Sequence, residues 1–159
     1  MHRTLDTALI AVIAVKGFCI MSIEDENTAI VRTAFEAWHA CKGRSTDCWT
    51  NVMADQVNFR SLADGREDLA FTEERKSKAE VLQYLAGLNE MFEMLHYTND
   101  YYVAQNDRVV AVGSTSWKKR GTDNSFDTPK VDIIRLENGK IVEFSEYYDT
   151  AMIQAIAAS

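Results

Sequence analysis

Two carboxylates stand in surroundings where a carboxylate is costly. Asp132 interrupts the run VDIIRL, and Glu146 lies in EFSEYY among aromatic neighbours. An acid withdrawn from water loses the solvation of its charged form. Its pKa rises, and it becomes a usable general acid or a neutral hydrogen-bond donor to a developing oxyanion. Two such acids side by side split their titrations, leaving one ionised as a base and one protonated as an acid. The alternative is structural: an ion pair with Lys130 or Arg60, or a place at a wet rim. His96 in LHYTND is a candidate third group, as a base, against the alternative of a hydrogen-bonded structural histidine. Cys19, Cys41 and Cys48 make no C-x-x-C pair and have no His at metal spacing. Their odd number opposes a disulfide framework, so reduced thiols, no metal and no cofactor are expected. His39 and Cys41, two residues apart on a helix, point to different sides, which gives a Cys/His nucleophile little support.

The candidate acids depend on the elements that carry them. Ser22-Ile-Glu-Asp25 reads as a helix start, followed by Ile30, Val31, Ala34, Phe35 and Trp38 on one face, with Gly43 as a left-handed stop. Ser45 or Thr46 caps a short second helix carrying Trp49, Val52 and Met53. VNFRSLA alternates Val57, Phe59 and Ser61 against Asn58, Arg60 and Leu62, which predicts a strand closed by the Asp64-Gly65 turn. The charged stretch 64–76 reads as a loop or short strand. Ser77-Lys-Ala-Glu80 is a capping box opening a long helix with Val81, Leu85, Leu88, Phe92 and Leu95 on its apolar face. From Met94 the period becomes alternating, predicting four antiparallel strands broken at 105–107, at 121–124 and at Asn138-Gly139, a type I′ hairpin signal. Residues 149–158 are too short for an independent helix and are expected to fold back on the domain or serve a partner. Alternation puts Lys130, Asp132 and Ile134 on one face, likewise Phe144, Glu146 and Tyr148, and likewise Ala111, Gly113, Thr115 and Trp117.

Composition bounds the function. The chain has 159 residues, 47% hydrophobic and 26% charged, which suits one globular domain with a sizeable core. A net charge of -7 opposes nucleic acid and anionic membrane surfaces as partners. Near the start, ALIAVIAV resembles a secretory signal, but Asp6 interrupts its entry and no small-x-small cleavage site follows. Eight apolar residues cannot cross a bilayer that needs ~20. Residues 1–21 are therefore expected to form an N-terminal extension outside the fold or to precede the true start, with a signal as the alternative. A single domain is expected over 22–159, in the cytoplasm.

The element order, together with EFSEYYDTA after an NGKI turn, resembles the nuclear transport factor 2-like superfamily, and within it the SnoaL-like branch related to ketosteroid isomerases. The resemblance covers Ile23 to Ala151. It implies an α+β fold in the order α-α-β-α-β-β-β-β: a cone-shaped, strongly curved antiparallel sheet wrapped around a long helix, with a mouth admitting a small apolar molecule. It also implies that the faces carrying Asp132, Glu146 and Gly113 are the concave ones. The small Ala111, Gly113 and Thr115 would then leave volume for a pocket. Its expected wall comprises Trp38, Phe35, Phe59, Ser61, Gly113, Trp117, Ile134, Phe144 and Tyr148. Asp132 matches the acid of the isomerase oxyanion hole, and Glu146 a catalytic acid position of the epoxide hydrolases. The chain departs from both patterns. Ser61 replaces the isomerase's proton-abstracting acid, Phe35 its oxyanion tyrosine, and Arg108 is followed by Val110 where the hydrolases carry Arg-x-Asp.

Two functions remain open at this level. One is an enzyme of isomerase, cyclase or hydrolase type that uses Asp132, Glu146 and His96 on an apolar oxygenated compound. The other is a non-catalytic ligand-binding or dimerisation module. Val110, Val112, Val131 and Ile133 on the convex face predict a homodimer.

Overall fold

The structure, a computed structural model, describes residues 21–159; the expected extension lies outside them except for Met21, and so does Cys19. In chain order the elements are α1 (Ile23–Ala40), α2 (Asp47–Thr50), β1 (Met53–Ser61), a 3₁₀ segment (Glu67–Thr72), β2 (Arg75–Ser77), α3 (Lys78–Met91), β3 (Phe92–Gln105), β4 (Arg108–Lys119), β5 (Ser125–Glu137), β6 (Lys140–Tyr148) and α4 (Thr150–Ala158). The fold is α+β. The described residues form a six-stranded sheet in the order β2-β1-β6-β5-β4-β3, open at both edges.

The predicted start signals operate. Ser22 Oγ accepts the Asp25 amide at 3.1 Å and caps α1. Ser77 Oγ accepts the Glu80 amide at 3.3 Å, while Glu80 Oε2 reaches back to the Lys76 amide at 2.7 Å. These contacts satisfy amides that a helix's first turn leaves without partners. Asn138 and Gly139 both have positive φ, 51° and 72°, which makes the tight β5–β6 hairpin.

Several boundaries differ from the sequence reading. Met53 begins β1 and does not extend α2. The long helix stops at Met91: Phe92 opens β3 and is buried, and Leu95 is exposed on that strand. The meander β3-β4-β5-β6 is antiparallel as expected, but β1 enters beside β6 in parallel, with Ser61 opposite Glu146. Residues 150–158 do form a helix. It is stable in place because Asp149 Oδ1 caps the Met152 amide at 3.0 Å, Lys119 Nζ holds the Ala157 carbonyl at 2.7 Å, and Ile153 is buried. Tertiary docking supplies what so short a helix lacks by itself.

α1 and α3 cover the inner face of the sheet. Their apolar stripes meet Phe59, Val109, Ala111, Ile134 and Phe144 in one core. Phe35 of α1 stacks on Tyr97 of β3 with centroids 5.5 Å apart and meets Trp49 edge-on. The 3₁₀ segment and α4 close one end of this core with Leu69 and Ile153. No described helix is long and apolar enough to cross a membrane.

Candidate functional site

One row of residues crosses the sheet and carries both acids. Cross-strand partners run from Ser61 on β1 to Glu146 on β6, Asp132 on β5 and Ala111 on β4. Alternation turns all four inward, so the two carboxylates lie side by side on the face covered by the helices. The neighbouring row joins Tyr148, Lys130, Gly113 and Asn99.

Asp132 is fully buried and ion-paired. Lys130 Nζ lies 2.5 Å from Asp132 Oδ2, and the side chains are 2% and 0% exposed. Tyr97 donates its hydroxyl to the same oxygen at 3.2 Å, whereas Asp132 Oδ1 has no partner. Lys130 also donates to Asn99 Oδ1 at 2.6 Å, and its ammonium sits over the rings of Phe35 and Tyr97, 4.6 and 4.2 Å from the centroids. Burial pushes the Asp132 carboxyl up, and Lys130 and Tyr97 pull it back. Burial is the larger influence, so the carboxyl stands above its ordinary value while it remains paired with Lys130. Of the two alternatives for Asp132, the ion pair with Lys130 is the one the structure contains.

Glu146 is the acid placed to titrate near neutrality. Its environment pushes it up to about 7, chiefly through burial and then through the nearby Asp132, while the Tyr84 hydroxyl that donates to Oε1 pulls it down. Ser61 Oγ and the Tyr148 hydroxyl are 2.5 Å apart beside it. Burial also raises the Tyr84, Tyr97 and Tyr148 hydroxyls well above their ordinary value, so all three remain protonated.

These groups line a cavity of about 50 Å³, enclosed by Trp117, Phe126, Tyr84, Tyr97 and Tyr148 with Leu69 and Ile153 above. A second void of about 30 Å³ adjoins it, shares Tyr84, Leu88, Tyr97 and Glu146 with it, and is walled by Trp38, Phe59 and Phe144. A larger groove of about 560 Å³ between α1 and β3 is open and contains neither acid. Among the described residues, no three His, Cys, Asp or Glu side chains are placed to hold a metal ion.

The remaining expected wall residues divide. Trp117 and Tyr148 line the cavity that holds the acids, and Trp38, Phe59 and Phe144 the smaller void. Ser61 acts through Tyr148, and Phe35 backs the wall as the stacking partner of Tyr97. Ile134 is wholly buried but lines neither space. Gly113 opens no volume: a Cβ there would stand 2.0 Å from the Thr98 carbonyl oxygen and 2.7 Å from Asn99 Cα. The bulged backbone of β3 fills the place that a small residue was expected to leave empty. His96 does not join the acids. Its ring lies 3.2 Å from Ser114 Oγ and 3.5 Å from Asp127, away from the cavity. Tyr84 and Tyr97 were not anticipated. Tyr84 follows Val81 by three residues on the buried stripe of α3, and that spacing was the signal available for it.

Residues 31–144 match the SnoaL-like domain family, and the chain belongs to it. No curated protein matches the sequence. Solved structures share the fold at low identity. An NTF2-like protein of unknown function from Burkholderia pseudomallei is 21% identical, with a TM-score of 0.73 over 87% of this chain and 100% of that one. TerC, co-crystallised with polyporic acid, is 14% identical, with a TM-score of 0.70 over 84% of this chain and 99% of that one. A SnoaL-like protein from Jannaschia sp. CCS1, provisionally assigned as a polyketide cyclase, is 18% identical, with a TM-score of 0.70 over 88% and 97%.

Proposed function

We propose that the protein binds a small apolar oxygenated compound in the cavity between α3 and the sheet and performs acid/base chemistry on it, with Glu146 exchanging the proton. The observation that carries this reading is a carboxyl held at about 7 in a largely aromatic enclosure. Near neutral pH such a group is both an available base and an available acid. Tyr84 orients its carboxylate, and Tyr148 with Ser61 supports the opposite side. Asp132 takes no proton in this scheme; with Lys130 it supplies a fixed dipole. The relatives' reported small-molecule ligand, polyporic acid in TerC, supports a binding role for the scaffold. The cavity volume favours compounds smaller than a steroid.

A ¹³C NMR titration of the Glu146 carboxyl tests this. A midpoint near 7 that moves when a small cyclic alcohol or ketone is added supports it. A midpoint at the ordinary value of 4.5, unmoved by any compound, would overturn it. The second reading is a non-catalytic binding or dimerisation module, favoured by the locking of Asp132 against Lys130 and by Ser61 where the isomerases carry their base.

The same proposal includes a single domain over 22–159, a cytoplasmic location and a homodimer through the outer sheet face. Tyr101, Val103 and Tyr147 are the exposed large residues there, at 55%, 56% and 42%, in register with Val110, Val112 and Val131.

A further inference from the structure

We propose that the compound bound in this cavity presents a neutral hydroxyl, and not a carbonyl, to Asp132. This deepens the acid/base reading above and rests on it. The argument is a count of unspent hydrogen-bonding capacity. Thr72 Oγ1 donates to the Leu69 carbonyl at 2.7 Å, Thr115 Oγ1 to the His96 carbonyl at 3.2 Å, and Trp117 Nε1 to Thr115 Oγ1 at 2.6 Å. Tyr97 donates to Asp132, Tyr84 to Glu146, and the Tyr148 and Ser61 hydroxyls bond each other. Lys130 donates to Asn99 and Asp132 and turns its remaining charge to two aromatic faces. Apart from one proton of the Tyr148–Ser61 pair and the proton of Glu146 itself, the side-chain donors around the cavity are thus committed to protein acceptors.

One acceptor is not. Asp132 Oδ1 is buried with no partner. A buried acceptor without a donor costs desolvation that nothing returns. A carbonyl ligand would add another acceptor against it, with no proton between the two oxygens; a hydroxyl supplies that proton. An ammonium also donates, but Lys130 already offsets the charge of Asp132, and a second buried cation would be desolvated for little return. The adjoining apolar void, walled by Trp38, Phe59 and Phe144, lies on the hydrocarbon side, and at about 30 Å³ it takes a five-carbon ring only as these walls move apart.

Calorimetric titration with cyclopentanol, cyclopentanone and cyclopentylammonium, three compounds on one ring, tests the proposal. The alcohol is expected to bind about tenfold more tightly than the ketone, the ratio that one satisfied buried acceptor supports. In Asp132→Asn the amide oxygen stays under Lys130 and Tyr97, which places the NH₂ at the Oδ1 position, and the preference should invert toward the ketone. If that variant does not fold, the ratio in the unaltered chain decides. A ketone bound as tightly as the alcohol, or an ammonium bound most tightly of the three, overturns the hydroxyl assignment and leaves the acid/base reading standing. No binding by any of the three overturns both.

Discussion

Glu146 makes the fold's stability depend on pH. A carboxyl raised from 4.5 to about 7 binds its proton more tightly in the folded chain than in the unfolded one. Its contribution is therefore fully present below 4.5, is lost as pH rises to about 7, and changes no further above that. The loss is about 3 kcal/mol by linkage. Glu146→Gln should flatten this part of the stability curve, measured by urea unfolding at a series of pH values; an unchanged slope would assign it to another group. Lys130→Met should cost about 3 to 5 kcal/mol, because it leaves Asp132 buried as an uncompensated charge, and the same urea series measures it. The pairing of the two acids was legible only in part: the Asn138-Gly139 turn pairs Glu137 with Lys140 and would by itself set Asp132 opposite Ser145, and a register shift between Arg135 and Leu136 brings Glu146 there instead. The place of His96 was not legible. β3 shifts register against β4 between Met94 and His96 and again between Asn99 and Tyr101, so counting alternate residues fails on that strand.

At the scale of elements, Gly113 marks where β3 and β4 approach most closely. Gly113→Ala forces backbone to move from a 2.0 Å contact and should destabilise by about 1 to 3 kcal/mol, read as a lower urea midpoint. A fall of that size should come with a disturbed Asn99–Lys130 contact, since Asn99 Cα is the second atom in the way. Sequence identified a small residue here but read it as room, since periodicity reports which face a residue occupies and not what stands opposite. The capping residues were legible because a cap is a local interaction. The end of α3 was not: Phe92 and Leu95 continue the helical spacing, and the strand wins because Phe92 pairs with Lys119 across β4. The helix at 150–158 was hidden for the same reason, as its support comes from Lys119 and the 3₁₀ segment, distant in sequence.

For the whole molecule, the outer sheet face sets the prediction. Light scattering with size-exclusion chromatography should return twice the mass of a single chain, and Val103→Lys with Tyr147→Lys should return it to one. Both positions are exposed, so the paired substitution should leave monomer stability within about 0.5 kcal/mol. A mass of one chain before substitution would remove the dimer. The family was legible from element order and the closing strand pair, because the scaffold is defined by how a meander wraps helices. The ligand was not, because it depends on which donors and acceptors remain unspent after folding, and that is a property of contacts.

Asp132 is wholly shielded from solvent, with Leu69, Phe71, Thr72 and Ile153 among the residues around its cavity. A compound reaches its free oxygen only after part of this cover moves aside, so association should be timed by the protein and not by diffusion. In stopped-flow mixing, the quenching of Trp117 emission should reach a rate that no longer increases with ligand concentration. That plateau would be the opening rate of the short C-terminal helix and the 3₁₀ segment, and Ile153→Ala, which loosens the joint between them, should raise it.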